Sequence, residues 1–425
     1  MSISRLFIDI SLLRTNPDFR QLLLARTISL MGLGMLAVSV PIQIFGLTGS
    51  SFQVGLAAAL DGAGMFAGLL LGGVLADLYD RRRLILLARS VCGLGFVALA
   101  VNSMLASPSV TAIYILAAWD GFFGALGVSA LMAAMPHIVG RDNLMQASAL
   151  GMMTARFASI VSPALGGVLI ASAGLAWNYA LAAVATLLTV LTLLSLPRMI
   201  PQRQNVAHPL RMLAQAFGFI FRRPPVLGIF AIGALLTLTS SIRILFPALV
   251  AGPYGGGAFE TGLLYSAVPI GATAGAVLSG WARNIERPDM IMVGMCMLAF
   301  LSVAALGAAG HVYFAMAALV VYGYATTIAS LLQYTMIQAH TPDSYLGRVN
   351  SLWAALDNLG DIAGALLIGA AAQILLPAQT VLFLGIAAMV LGLLLGMLLR
   401  ATRRAGLAAD DARGPELLIS GDTNA

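Results

Sequence analysis

The amino-acid sequence predicts an all-α membrane protein, with twelve transmembrane helices in two pseudo-symmetric six-helix halves. Three observations carry this. The 425 residues are 60% hydrophobic and only 9% charged, whereas a soluble domain is about half apolar and roughly a quarter charged. Twelve apolar stretches are long enough to span a bilayer, which takes about 20 residues each. The first half of the chain is also repeated in the second.

The spans fall at 21–46, 52–76, 84–105, 111–135, 144–172, 176–197, 226–250, 259–281, 289–309, 311–338, 347–374 and 379–399. Turn residues such as Gly49-Ser50, Ser107-Pro108 and Leu376-Pro377 separate several of them. The basic residues then sort by side. Arg81, Arg82, Arg83, Arg141, Arg198, Arg222, Arg283, Arg348 and Arg403 all fall at one set of alternating ends. The opposite loops, near 47–51, 106–110, 173–175, 251–258, 310 and 375–378, carry no arginine. The positive-inside rule therefore predicts that both termini are cytoplasmic. Arg5, Asp9, Arg14, Asp18 and Arg20 interrupt the N-terminus, which argues against a cleavable signal peptide.

The repeat is direct. "VGLAAALDGAGMFAGLLLGGVLAD" from residue 54 aligns without a gap on "TGLLYSAVPIGATAGAVLSGWARN" from residue 261. Gly55, Gly64, Ala67, Gly68 and Gly73 meet Gly262, Gly271, Ala274, Gly275 and Gly280. Small residues mark close helix contacts in lipid, so shared spacing predicts shared packing. Two parallel six-helix halves are a standard transporter plan. The expected division is 1–197 for the first half, 198–225 for a cytoplasmic linker, 226–400 for the second half, and 401–425 for a disordered tail. Within the linker, "HPLRMLAQAFGFIFRR" sets Leu210, Leu213, Phe217 and Ile220 on one side, as expected of an interfacial helix.

Composition also excludes function classes. The formal charge of +6 comes from basic residues that are all arginine, with no lysine in the chain. A Walker A loop and lysine Schiff-base chemistry both need that lysine. The basic residues flank apolar runs, which fits topology rather than nucleic-acid binding. Cys92 and Cys296 lie in apolar runs with no CxxC pair and read as small buried residues. No metal cluster or nucleophile–base pair stands out, so neither an enzyme nor a cofactor is expected.

Between the second and third spans the chain reads "GGVLADLYDRRRLIL". A glycine, three residues, an aspartate and a basic cluster occupy Gly73, Asp77, Arg81, Arg82 and Arg83. This loop resembles the signature of the major facilitator superfamily, departing from it at Leu78 and Asp80. The N-terminus of the eleventh span carries partial positive charge, and Asp77 can dock on it as a gate between the halves. The arginines can pair with Asp142 or Asp343, or serve only as topology anchors. In the fifth span "SPALGGVLI" resembles the antiporter motif of exporters in this superfamily, through Pro163, Gly166 and Gly167, with Ser162 in place of the usual glycine. Close packing alone would also explain it.

Further stretches, "NPDFRQLLLAR", "WDGFFGALGV", "NLMQASAL", "AWNYALAA", "SSIRILFPAL", "SLLQYTM" and "LGRVNSLW", are similar to the family of enterobactin exporters, over about residues 10–400. That resemblance implies a proton-driven inner-membrane exporter of a catecholate siderophore. A broad multidrug antiporter is the alternative. The expected partners are a small-molecule siderophore or drug, protons and the lipid bilayer, with the chain acting as a monomer.

Arg26, Asp61, Asp120, Arg156, Arg243, Asp357 and Asp361 lie within predicted spans. An ionisable group there is costly and should face a cavity or a partner. Asp357 and Asp361, four apart, share a helix face. Two close carboxylates in a low dielectric do not both ionise easily, which suits a proton carrier. An ion pair with Arg243 or Arg156 is an equal alternative, and Asp120 and Asp61 are secondary candidates. Arg243 and Arg156, with Arg26, suit an anionic substrate, since guanidinium pairs with anions and stacks on aromatic rings. Trp119, Phe123, Tyr334 and Trp353 could join such a site, although packing or lipid contact is the commoner use of such residues.

Overall fold

The computed structural model describes residues 11–200 and 224–412. All regular structure among them is helical. A short helix, Ser11–Thr15, leads into twelve long ones. These are α1 (Pro17–Thr48), α2 (Ser51–Leu78), α3 (Arg81–Met104), α4 (Val110–Val139), α5 (Leu144–Ala173) and α6 (Leu175–Leu193) in the first half. The second half has α7 (Pro224–Ala251, in three pieces), α8 (Ala258–Val277), α9 (Pro288–Ala308), α10 (Val312–Ala339), α11 (Asp343–Ile374) and α12 (Pro377–Ala412).

The ends are written in the sequence. Asn16 accepts the Phe19 N–H at 2.9 Å, with Pro17 in the first turn, where a missing N–H costs nothing. Gly49, at φ 64°, closes the other end of α1 by donating to Phe45 O. Among the described residues, eleven helices are long and apolar enough to cross a membrane. The twelfth, α8, is 20 residues long and is richer in Gly, Thr and Ser.

Helix pairing repeats from one half to the other. In the first half α1 packs on α5 and α6, α2 on α4, and α3 on α4 and α6. In the second, α7 packs on α11 and α12, α8 on α10, and α9 on α10 and α12. Two seams join the halves, α2 with α11 and α5 with α8. The repeated glycines explain the match. A Cβ on Gly64 would lie 3.0 Å from Phe122 N on α4, and one on Gly271 would lie 2.9 Å from Tyr324 N on α10. Within the first half, Tyr179 on α6 donates to Gln43 Oε1 on α1 at 2.7 Å, satisfying two buried polar groups. Leu94, Val101, Leu187, Leu191, Leu301 and Leu394 are exposed, which gives α3, α6, α9 and α12 their lipid-facing surfaces.

The structure departs from the expected spans in two places. The seventh is not continuous: Pro224–Ser240 is α-helix, Ser241–Leu245 is a 3₁₀ turn, and Phe246–Ala251 is α-helix again. The twelfth does not stop at 400 but continues to Ala412, through alanines and arginines that favour helix. The expected interfacial helix of the linker, and the rest of the expected tail, lie outside the described residues.

Candidate functional site

The break in α7 sets the site. Thr239 and Ser240 donate to the carbonyls of Leu236 and Thr237, each at 2.7 Å, an arrangement that competes with the helical ladder. Pro247 has no N–H to offer the Arg243 carbonyl one turn back. That carbonyl accepts the Phe246 N–H and also the Tyr265 hydroxyl of α8, the latter at 2.9 Å. Arg243 therefore sits on a kinked segment, pinned from α8.

Its side chain forms an ion pair with Asp361 of α11. The other Asp361 oxygen accepts from Ser240 and Ser241, each at 2.9 Å. Asp357, one turn earlier, accepts from Thr237 at 2.7 Å. The two carboxylates thus share a helix face, and each is met by hydroxyls of α7. Of the two sequence readings for Asp361, the ion pair with Arg243 is the one seen.

Between the halves lies a cavity of about 650 Å³. It is lined from α1, α2, α3, α4, α5, α7, α8 and α10, and mostly by apolar side chains. Its polar groups include Asp61, Asp120, Arg243, Tyr265 and Tyr322. A smaller adjoining cavity of about 80 Å³ brings Asp61, Arg243, Asn358 and Asp361 together at the seam of α2 and α11. Asp120 lies beside Arg89 and Cys92 of α3. Arg89 is buried, so α3 contributes a charge to the interior.

The other predicted binding residues lie elsewhere. Arg26 packs against α5, where a Cβ on Gly151 would lie 2.8 Å from its Nη1. Arg156 is exposed, away from both cavities. Trp119 donates to Val91 O of α3 at 3.0 Å and stacks, tilted, at 4.9 Å from Phe123. Trp353 stands edge-on to Phe230 at 5.0 Å and packs on Gly233. Tyr334 is exposed on α10. All four aromatics pack outside the cavity. The rings that do line it are Phe246, Tyr265 and Tyr322. Phe246 and Tyr265 meet edge-on at 5.0 Å, and Tyr322 shares a hydrogen bond with Thr239 at 3.3 Å. The repeat held one signal for Tyr265: it stands where the first half has Ala58.

The two motifs have distinct settings. Ser162, Pro163, Gly166 and Gly167 lie where α5 meets α1 and α8. A Cβ on Gly167 would lie 3.0 Å from Gly262 Cα, and one on Gly166 would lie 3.3 Å from Met35 Cα. Ser162 donates to Ala158 O at 2.6 Å and presses on Gly34. Gly73 and Asp77 lie in the last turns of α2, and the arginines that open α3 bind within their own half. Arg81 reaches Ala76 O at 3.2 Å and His137 Nδ1 at 3.0 Å, and Arg82 donates to Leu194 O. Asp80, a departure from the signature, accepts from the N–H of Arg82 at 3.1 Å and of Met199 at 3.0 Å. It ties the loop to the end of α6. Asp77 has no hydrogen bond or ion pair among the described residues, and Gly73 and Gly280 face nothing within 4 Å.

A cavity between two parallel six-helix halves, with an intramembrane ion pair at their seam, defines a secondary transporter. A family model described as "Transmembrane secretion effector" matches residues 11–419. The enterobactin exporter EntS of Citrobacter koseri is 46% identical over 397 residues, covering 93% of this chain and 95% of its own. That of Shigella boydii serotype 18 matches at the same identity and coverage. Among solved structures, the nucleoside transporter NupG superposes with a TM-score of 0.76 at 14% identity, covering 90% of this chain and 99% of its own. The POT family transporter PepTSo superposes at 0.70 and 12% identity, covering 92% and 99%. The chain belongs to the transmembrane secretion effector family of the major facilitator superfamily. It is a multi-pass membrane transporter and not an enzyme.

Proposed function

We propose that this transporter exports a catecholate siderophore such as enterobactin from the cytoplasm to the periplasm, across the inner membrane, in exchange for protons. The observation that carries this reading is the 46% identity to enterobactin exporters over 93% of the chain. The cavity supports it. Its volume of about 650 Å³ falls in the range of roughly 300–1,000 Å³ that holds small ligands. Arg243 offers a guanidinium to an anionic catechol, and Phe246 and Tyr265 stand beside it.

The domain plan follows from the same reading. Both termini are cytoplasmic, the halves meet through a cytoplasmic linker, and one chain is a complete transporter. Rocking of one half against the other exposes the cavity to each side in turn. The close glycine contacts of the two seams lie towards the arginine-free loops, which supports a cavity that opens to the cytoplasm. Asp77 docks on α11 when the cytoplasmic end closes. A catecholate competes with Asp361 for Arg243, and the proton carrier is among Asp61, Asp120, Asp357 and Asp361.

The mostly apolar lining favours a second reading, a broad multidrug antiporter. Efflux from acid-loaded proteoliposomes, with enterobactin and a cationic dye side by side, separates the two. Proton-driven movement of enterobactin but not of the dye is expected. Equal movement of both would replace the siderophore reading with the multidrug one.

A further inference from the structure

The four intramembrane acids around Arg243 are not equivalent in what surrounds them. Asp361 receives Ser240, Ser241 and the Arg243 guanidinium, and Asp357 receives Thr237. Donors of this kind solvate a carboxylate as an anion. Asp361 is therefore furnished to stay charged, and its charge holds Arg243 in place.

Asp61 is furnished in the opposite way, and one oxygen of Asp120 is left bare. Asp61 lines both cavities, yet it accepts no hydrogen bond and forms no ion pair among the described residues. Asp120 Oδ1 is buried with no hydrogen-bond partner. The charged and titratable groups facing Asp61 are Asp120 from α4, Arg243 from α7 and Asp361 from α11. Those near Asp120 are Arg89 and Cys92, both from α3. A carboxylate with no donors, in an apolar wall and next to another acid, has no means of carrying its negative charge except by approaching Arg243. A protonated acid has no such need.

We propose that Asp61, backed by Asp120, is the proton-binding station, and that Asp361 is the fixed counter-ion of Arg243. Resting on the exporter reading above, the cycle has Arg243 shared across the seam. With Asp61 protonated, Arg243 pairs with Asp361 alone, as seen here. Once Asp61 gives up its proton, its charge draws Arg243 towards α2. That weakens the bond to α11 at the seam that must open. The station is thus in one half and the latch in the other, and a proton is felt as a change in the contact between them.

The test uses the full chain in lipid. Infrared difference spectra across a pH titration read the C=O stretch of a protonated carboxylic acid directly, without substrate. The wild type should show a titrating band that is absent in D61N and present in D361N. In proteoliposomes, D61N should lose pH-driven transport of enterobactin while keeping exchange of enterobactin at equal pH. D61E should restore the driven transport, which rules out a folding defect as the cause of the loss. A band that survives D61N, or that disappears only with D361N, overturns the proposal. So does pH-driven transport by D61N at the wild-type rate. If enterobactin is not moved at all while the band still follows Asp61, the substrate reading fails and the proton station stands.

Discussion

The two halves are built on one packing scheme but carry different chemistry. Gly121 of α4 approaches the Asp61 carbonyl of α2, and Gly323 of α10 approaches the Val268 carbonyl of α8 in the same way. Gly55 meets Ala365 across one seam, and Gly262 meets Pro163 across the other. The backbones are thus related position by position. The side chains are not. Asp61 corresponds to Val268 and Asp120 to Tyr322, while Asp361 corresponds to Ser159. The first half contributes Asp61, with no donor among the described residues, and Asp120 beside Arg89 and Cys92, while the second contributes an acid held by hydroxyls and a guanidinium. Symmetry serves the movement, and asymmetry serves the cargo and its driving ion.

The sharpest way to break this comparison is to remove the charge that only the second half supplies. Arg243→Ala should lower transport of an anionic catechol by roughly 30-fold, the equivalent of about 2 kcal/mol for a lost charge-assisted hydrogen bond. A cationic dye should be far less affected, and Arg243→Lys should recover part of the loss. Vesicle efflux with both compounds measures this, and an equal loss for both would make Arg243 structural. The scaffold itself is tested next. Gly64→Ala and Gly271→Ala push a methyl into equivalent backbone contacts, so each should destabilise the protein by about 1–3 kcal/mol. Thermal unfolding in detergent should show two similar losses, and a large loss in one alone would break the equivalence.

A smaller effect is expected at the loop. Asp77→Asn should reduce cross-linking between cysteines placed at Leu78 and Thr341, because the arginine-rich end then closes less often. Unchanged cross-linking would return Asp77 to an ordinary loop residue. The smallest effect belongs to Trp119. It packs outward on α3, so Trp119→Phe should leave the transport rate within about twofold, in keeping with substitutions away from a site. A severe loss would mean that the cavity reaches further than the one lined by Phe246 and Tyr265.

Much of the fold was legible in the sequence, because lipid imposes long apolar helices and the positions of the glycines survive in the repeat. The intramembrane charges could be found the same way, since each one interrupts an apolar run. Their partners could not. That Asp361 would meet Arg243 depends on a seam between helices over a hundred residues apart, and the 3₁₀ turn at Ser241–Leu245 is a local compromise among three hydroxyls and a proline. The aromatics, offered as site candidates beside the commoner packing role, take the packing role for a related reason. Trp119 and Phe123 share a helix with Asp120, but helical spacing alone does not say which side faces the neighbouring helix and which the cavity. Tyr265 and Tyr322 carry no signal in their own helices and reach the cavity only because α8 and α10 pack beside α7.

The glycine contacts of the two seams cluster towards the end with arginine-free loops. Gly369 approaches Phe52 there on one side, and Gly167 approaches Gly262 on the other. Where main chain lies on main chain, no file of water molecules fits between. A proton therefore has no wire to run along through either seam while that end is shut. For a cell that keeps its membrane energised, that seal lets the transporter stand idle without becoming a leak.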